Sequence, residues 1–215
     1  MQNVIETKFK KLIAKRNLKS YIKAKVIVRF SSLFLIGLAI GYALFFTGGY
    51  SEKGLDTSIV LEHFNSIFVG SETVSDYLLT MLIASKNDIR HLLFVFISGF
   101  TYFCFFASGA IVFSRGALLG FASSYLICAY RSNPDIISNK MLVLFMASNI
   151  ISAVLLIYLS SVSYIFSFDF RVIKRNHSIL RRAPVAYKYA FSFILTLGGL
   201  LINNLTYCIL SYLCH

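Results

Sequence analysis

Four long apolar runs constrain the fold of this chain more than any other feature. They cover residues 30–47, 91–130, 141–168 and 189–213. About 20 apolar residues in a helix cross the hydrocarbon core of a bilayer, and a helix satisfies all of its own backbone hydrogen bonds there. The composition agrees, since 57% of the residues are hydrophobic and only 14% are charged, against about 25% charged in soluble domains. We expect an all-α fold, a polytopic transmembrane helix bundle, and exclude a soluble enzyme, a disordered chain and a secreted disulfide scaffold.

The run at 91–130 is too long for one crossing and is interrupted only at residues 114–116. Arg115 at the centre of a bilayer costs roughly 2.5–3.5 kcal/mol on insertion scales, whereas in a turn between two helices it costs little. The sequence therefore predicts two spans here, at 91–113 and 117–130. Together with the other three runs they make five spans, at 30–47, 91–113, 117–130, 141–168 and 189–213.

The charges predict how these spans are oriented. Nine Lys and Arg residues precede Phe30, and six more lie in the basic loop at 169–188. The segment from 48 to 88 instead holds six acidic residues and two lysines. Because cationic loops stay in the cytoplasm, five crossings place the N-terminus and the basic loop inside and the C-terminus outside.

Two segments outside the spans are expected to form amphipathic helices. The pattern of residues 1–29 predicts a basic helix at the interface with anionic lipid. The alternative is a helix that docks to a cytosolic partner. Nucleic-acid binding is disfavoured because no aromatic platform accompanies the lysines. The outer acidic loop at 48–90 is expected to carry short helices that either pack on the membrane or hold a partner. The apolar residues proposed for that platform are Ile59, Phe64, Phe68 and Leu78.

No catalytic or metal-binding pattern is found. The four histidines are far apart in the chain, and no zinc-protease, nucleophile-elbow, phosphate-loop or CxxC pattern occurs. We therefore expect no enzymatic activity, no cofactor and no metal. No Asp or Glu lies within a predicted span, which argues against an ion-coupled transporter because such proteins usually need an intramembrane carboxylate.

The predicted spans do contain small and polar residues that suit close helix contacts. Two Gly-x-x-x-Gly pairs, at 37–41 and 116–120, allow helices to approach closely, and amides at membrane depth need hydrogen-bond partners. The interpretations left open are packing within the bundle, contacts between subunits and a polar solute path. The candidate residues are Gly37, Gly41, Gly99, Arg115, Gly116, Gly120, Asn149, Asn203 and Asn204.

Three stretches carry a resemblance to a known family. They read Lys-Asn-Asp-Ile-Arg at 86–90, Ile-Ser-Gly-Phe-Thr at 97–101 and Phe-Ser-Arg-Gly-Ala-Leu-Leu-Gly-Phe at 113–121. The pattern resembles the stage II sporulation protein M family, in which an Asn precedes a span and Gly-x-Thr lies within it. In that family a basic residue or Asn followed by Gly leads into Leu-Gly-Phe. The resemblance covers about residues 86–130, and elsewhere only the layout of the chain is similar.

The resemblance implies a function that the residues alone do not. Sporulation members of this family are multi-pass proteins of the mother-cell membrane at the septum, needed for engulfment. They act as scaffolds that localise peptidoglycan hydrolases, a lytic transglycosylase and an amidase/endopeptidase, on the outer side. The implied partners are the lipid bilayer, these hydrolases and a possible second copy of the chain, with no nucleic acid. Because other members occur near exporter ATPases and in circular-bacteriocin gene clusters, the alternative is a membrane component of an ABC-type export or bacteriocin immunity system.

Overall fold

The computed structural model describes residues 2–48, 74–132, 139–175 and 182–213. All secondary structure in these ranges is helical. The five helices are α1 (Gln2–Thr47), α2 (Val74–Ser98), α3 (Cys104–Ser132), α4 (Asn139–Arg175) and α5 (Arg182–Leu213). The prediction of an all-α fold is confirmed for the described part of the chain.

Four of these helices contain segments that are long and apolar enough to cross a membrane. The segments are Lys23–Thr47, Cys104–Cys128, Leu142–Arg171 and Pro184–Leu210. The first contains the predicted span 30–47, and the third and fourth cover most of the predicted spans 141–168 and 189–213. The second continues through residues 114–116, where the sequence predicted a turn. Four such helices fit a multi-pass membrane protein. Many large side chains on them face outward, as a lipid environment requires, among them Leu35, Phe106, Val154 and Ile194.

The helix α1 packs most extensively against α3, and the two run in the same direction. Phe30 of α1 lies against Phe105, with ring centroids 5.6 Å apart. Further along both helices, Phe45 lies against Phe121, with centroids 5.5 Å apart. Since the contacts advance together along both chains, α1 and α3 are parallel.

The remaining contacts alternate in direction. The helix α3 is antiparallel to α2 and to α4, and α5 is antiparallel to α2 and to α4. For α2 and α3 the contacts are Asp88–Arg115 and Ser98–Ser108, and for α3 and α4 they are Phe105–Tyr164 and Arg115–Asn149. For α2 and α5 they are Ser85–Asn204 and Phe96–Tyr189, and for α4 and α5 they are Ser148–Asn203 and Ser163–Tyr189. The bundle therefore runs up, down, up, down, up. One end, which we call the basic end, carries Lys23, Arg171 and Lys188.

The predicted turn at residues 114–116 is wrong, since α3 continues through it from Cys104 to Ser132. The chain turns instead at residues 99–103. There the backbone amide of Thr101 donates to the carbonyl of Ser98 (2.9 Å), and the Thr101 hydroxyl donates to the same oxygen (2.8 Å). The predicted span at 91–113 is thus divided between α2, this turn and α3. The prediction failed because it assumed that Arg115 has no partner within the bilayer, and an unpaired arginine there carries the full cost of burial.

Two predicted extramembrane segments also differ from the structure. Residues 2–29 are helical, but they are continuous with the first apolar segment in one helix, α1. No Gly or Pro occurs before Gly37, so nothing in the sequence breaks the helix between the basic and the apolar part. The part of the predicted outer loop from Val74 to Arg90 belongs to α2. Helix α2 packs within the bundle against α3, α4 and α5.

The core of the bundle lies where all five helices meet. Its buried apolar side chains include Phe30, Val95, Val112, Leu159 and Leu200, one from each helix. A smaller cluster around Phe45 and Tyr125 lies at the end opposite the basic end.

Candidate functional site: a polar cluster at the centre of the bundle

A partly buried ion pair lies at the centre of the bundle. Arg115, midway along the apolar segment Cys104–Cys128, donates from Nη2 to Oδ1 of Asp88 at 2.9 Å. The two side chains are only 20% and 14% exposed. Each charge thereby neutralises the other, which removes much of the cost of burying either one alone.

The amide of Asn149 extends the ion pair to α4. Nη2 of Arg115 also donates to Oδ1 of Asn149 at 3.2 Å, and Nδ2 of Asn149 donates to the carbonyl oxygen of Phe145 at 2.9 Å. The amide is held in one orientation, with its oxygen towards the guanidinium. Three helices, α2, α3 and α4, are joined in this way by one polar chain.

A second set of hydrogen bonds joins α5 to α4 and α2. Nδ2 of Asn203 lies within hydrogen-bond distance of the carbonyl and hydroxyl oxygens of Ser148 (3.1 and 3.0 Å) and of Oγ of Ser152 (3.2 Å). Nδ2 of Asn204 donates to Oγ of Ser85 at 2.8 Å. Polar bonds between helices substitute at membrane depth for the hydrophobic driving force that lipid does not supply. Together with the ion pair, these residues form what we call the central polar cluster: Ser85, Asp88, His91, Arg115, Ser148, Asn149, Ser152, Asn203 and Asn204.

A small cavity adjoins the ion pair. Its volume is about 10 Å³, and its lining includes Asp88, His91, Arg115 and Ser152. Nδ1 of His91 is buried and has no hydrogen-bond partner among the described residues. A space of this size holds about one water molecule. The cavity therefore suits one bridging water and is too small for a solute.

The position of Asp88 corrects a premise of the sequence analysis. Asp88 was assigned to the outer loop, and the predicted spans contained no carboxylate. In the structure this carboxylate lies beside Arg115 inside the bundle. Once the turn at 99–103 is known, the pair follows from the spacing, since Asp88 and Arg115 are each about 13 residues from the centre of that turn. In an antiparallel helical hairpin, residues equidistant from the turn lie opposite each other.

The two Gly-x-x-x-Gly pairs meet in one contact between α1 and α3, which we call the glycine seam (Gly37, Gly41, Gly116 and Gly120). A Cβ atom on Gly41 would overlap the carbonyl group of Ala117, whose carbon would be 2.7 Å away. A Cβ atom on Gly120 would overlap the carbonyl oxygen of Leu38, whose carbon would be 3.0 Å away. The obstructing atoms are backbone, so they cannot move aside without moving a helix. Only glycine allows the two helices to approach this closely.

Gly99 serves a different contact, in the turn between α2 and α3. A Cβ atom there would overlap the hydroxyl oxygen of Tyr189 and lie 2.8 Å from its Cζ. The Tyr189 ring is stacked between Phe96 and Phe166, with centroid distances of 4.8 and 4.1 Å. Its hydroxyl donates to the carbonyl of Phe96 (2.7 Å) and accepts from Ser163 at 2.8 Å. Gly99 thus leaves room for an aromatic residue that joins α2, α4 and α5, and sequence reasoning missed that residue.

The proposed partner platform is not tested by the structure. Ile59, Phe64 and Phe68 lie outside the described residues, and of Leu78 only the helical backbone of α2 is described. Within the described ranges, no group of three or more His, Cys, Asp or Glu side chains is placed to hold a metal ion.

Comparisons with known proteins add no identity. None of the protein-family models, curated proteins or solved structures with which the chain was compared matches it. The resemblance to the stage II sporulation protein M family therefore remains an expectation from the residues at 86–130.

Proposed function

We propose that this chain is a non-enzymatic scaffold of the bacterial cytoplasmic membrane, with five crossings, its N-terminus inside and its C-terminus outside. By the family resemblance, its location is the mother-cell membrane at the sporulation septum. The proposal has two parts, the topology and the role, and different observations support each of them.

The direction of the helices supports five crossings. The apolar segments of α1 and α3 run parallel, so the chain must return across the bilayer between them. Only α2 lies between them among the described helices, and its 25 residues span about 37 Å, which is enough for a crossing. Helix α2 is less hydrophobic than the four apolar segments, and it contains Asp88. The ion pair with Arg115 lowers the cost of placing this carboxylate within the bilayer.

Site-directed cysteine labelling tests this topology at the turn between α2 and α3. In a variant without native cysteines, Tyr102→Cys should react with a membrane-impermeant maleimide only from the cytoplasm, since Tyr102 is exposed at the basic end. Lys140→Cys, at the opposite end, should react only from outside. If Tyr102→Cys labels from outside, α2 does not cross and the five-crossing topology is refuted.

The internal pairing of the central polar cluster is the observation that carries the scaffold role. A solute pathway needs polar groups that face a water-filled route. Here the carboxylate of Asp88 is paired with Arg115, and the adjacent cavity has a volume of only about 10 Å³. A bundle closed in this way is suited to holding partners in place rather than to moving solutes.

The outward face of α2 supports a protein partner for that scaffold. Lys86, Asn87 and Arg90 are exposed on this helix, close in sequence to the partly buried Asp88. A cation facing lipid near the bilayer centre costs roughly 2.5–3.5 kcal/mol. Coverage by a protein surface with acidic or amide groups removes that cost, so this face is a second candidate contact beside the outer segment.

Capture of cell-wall hydrolases tests the role. In the full chain, residues 51–72 are replaced by a neutral Gly/Ser linker of equal length, and a second variant carries Lys86→Gln and Arg90→Gln. At least one variant should lose most of the capture of a purified lytic transglycosylase or amidase/endopeptidase. The control is Lys25→Gln, an exposed cation outside both surfaces, and all variants must keep the helical circular dichroism of the parent. Undiminished capture by both variants, or no capture by the parent, contradicts the proposal.

The export alternative has one supporting observation, the basic end with Lys23, Arg171 and Lys188. Such a surface suits a cytosolic ATPase with an acidic face. Co-purification of an ATPase whose hydrolysis rate rises when the chain is present would favour export over the scaffold.

A further inference from the structure

A cleft at the basic end is much larger than the small cavity beside the ion pair. It has a volume of about 400 Å³ and lies between α1, α4 and α5. That volume is within the range of small-molecule sites. The proposed scaffold role does not use this cleft.

The charged groups of the cleft lie at its outer rim. They are Lys23 of α1, Asp169 of α4 and Lys188 of α5. Lys23 begins one apolar segment, Asp169 is two residues from the end of another, and Lys188 is four residues from the start of a third. All three residues are thus at the level where an apolar core gives way to lipid headgroups.

The rest of the cleft is mostly apolar and follows α4 into the bundle. Its wall includes Tyr158, Val162, Ile165 and Phe191. From Asp169 to Tyr158 the helix advances by 11 residues, or about 16 Å. This length matches the headgroup, the glycerol and the first part of an acyl chain of a phospholipid lying parallel to α4.

We propose that this cleft binds one anionic phospholipid of the cytoplasmic leaflet. The phosphate lies between the ammonium groups of Lys23 and Lys188, and one acyl chain follows the wall of Val162 and Ile165. Asp169 accepts hydrogen bonds from hydroxyl donors of a glycerol headgroup. The two lysines and one carboxylate leave a net charge of +1 at the rim, which complements a phosphodiester and favours an anionic over a choline lipid.

Native mass spectrometry of the full chain in detergent tests the proposal. Phosphatidylglycerol and phosphatidylcholine with identical acyl chains are titrated separately. The parent should bind one phosphatidylglycerol at least tenfold more tightly than phosphatidylcholine. Lys23→Gln with Lys188→Gln should abolish this preference. The matched control, Lys25→Gln with Lys140→Gln, removes the same charge from exposed positions outside the cleft and should keep it.

Two further measurements separate the possible outcomes. Val185→Trp fills the cleft without changing its charge and should weaken phosphatidylglycerol binding, because Val185 lines the wall. Inorganic phosphate alone should not compete at millimolar concentration, since it lacks the acyl chain. Equal binding of both lipids, loss of preference in the control, or full competition by phosphate would overturn the proposal. If the double variant loses helicity, Val185→Trp alone decides between a lipid in the cleft and one elsewhere.

Discussion

Replacing Gly41 by alanine should loosen the bundle, although alanine is the better helix former. The new Cβ would lie 2.7 Å from the carbonyl carbon and 2.9 Å from the Cα of Ala117. Ordinary contacts at this position are about 3.4 Å or longer. The backbones of α1 and α3 must therefore separate by about 1 Å, and a gap of that size forfeits about a quarter to a half of each dispersion contact along the seam.

Two opposing contributions determine the size of the effect. Glycine to alanine in a helix interior stabilises by about 1 kcal/mol, whereas overpacking a closely packed contact costs about 1–3 kcal/mol. Because the obstructing atoms are backbone, the cost should fall at the upper end of that range. We expect Gly41→Ala to lower the free energy of unfolding by about 1–2 kcal/mol.

Gly198 supplies the matched control. It lies within α5, and no heavy atom outside its own helix backbone approaches within 4 Å of an added Cβ. Gly198→Ala should therefore show the helix propensity alone and stabilise by up to about 1 kcal/mol. The two variants make the same chemical change with opposite expected signs.

The assay is reversible unfolding in mixed micelles of dodecyl maltoside and sodium dodecyl sulfate. Helical circular dichroism is the suitable probe, since the chain contains no Trp. If Gly41→Ala is as stable as Gly198→Ala, the close approach of α1 and α3 does not limit packing, and the structural role of the glycine seam is refuted.

Variants at three other contacts, the ion pair, the Asn203 hydrogen bonds and Tyr189, have expected outcomes in the same assay. Asp88→Asn and Arg115→Gln should each cost about 1–3 kcal/mol, because each leaves a partly buried charge without its partner. The double variant should cost clearly less than the sum of the two, and additive costs would contradict the ion pair. Asn203→Ala should cost about 0.6–1.7 kcal/mol through lost interhelical hydrogen bonds, and no change would show that these bonds add nothing. Tyr189→Phe should cost about 1–2 kcal/mol through the lost hydrogen bonds of the buried hydroxyl. Tyr187→Phe is the control and should have no effect, because that side chain is 74% exposed. Equal effects of the two changes would contradict the buried role of Tyr189.

The fold class and the distribution of charge follow from the amino-acid sequence alone. Apolar runs such as 141–168 are local properties, and a helix built from such a run is long and apolar enough to cross a bilayer. The Gly-x-x-x-Gly spacing at 37–41 and 116–120 also marks a close helix contact locally, although it does not name the partner helix. The sequence was thus sufficient to propose a polytopic helix bundle and most of the residues in its polar and glycine contacts.

The packing of the helices was needed to show where the second apolar run is broken and which residue pairs with Arg115. The cost of burying Arg115 depends on whether a carboxylate reaches it, and Asp88 lies 27 residues earlier on another helix. A hydropathy average uses only residues that are adjacent in sequence, so it cannot include a contact between two helices. It therefore predicts a turn at 114–116 and places Asp88 in the outer loop. Tyr189 was missed for the same reason, because its stacking and hydrogen bonds exist only once α2, α4 and α5 are packed together. Desolvation costs are set by what surrounds a group in space, and for these residues the surroundings come from distant parts of the chain.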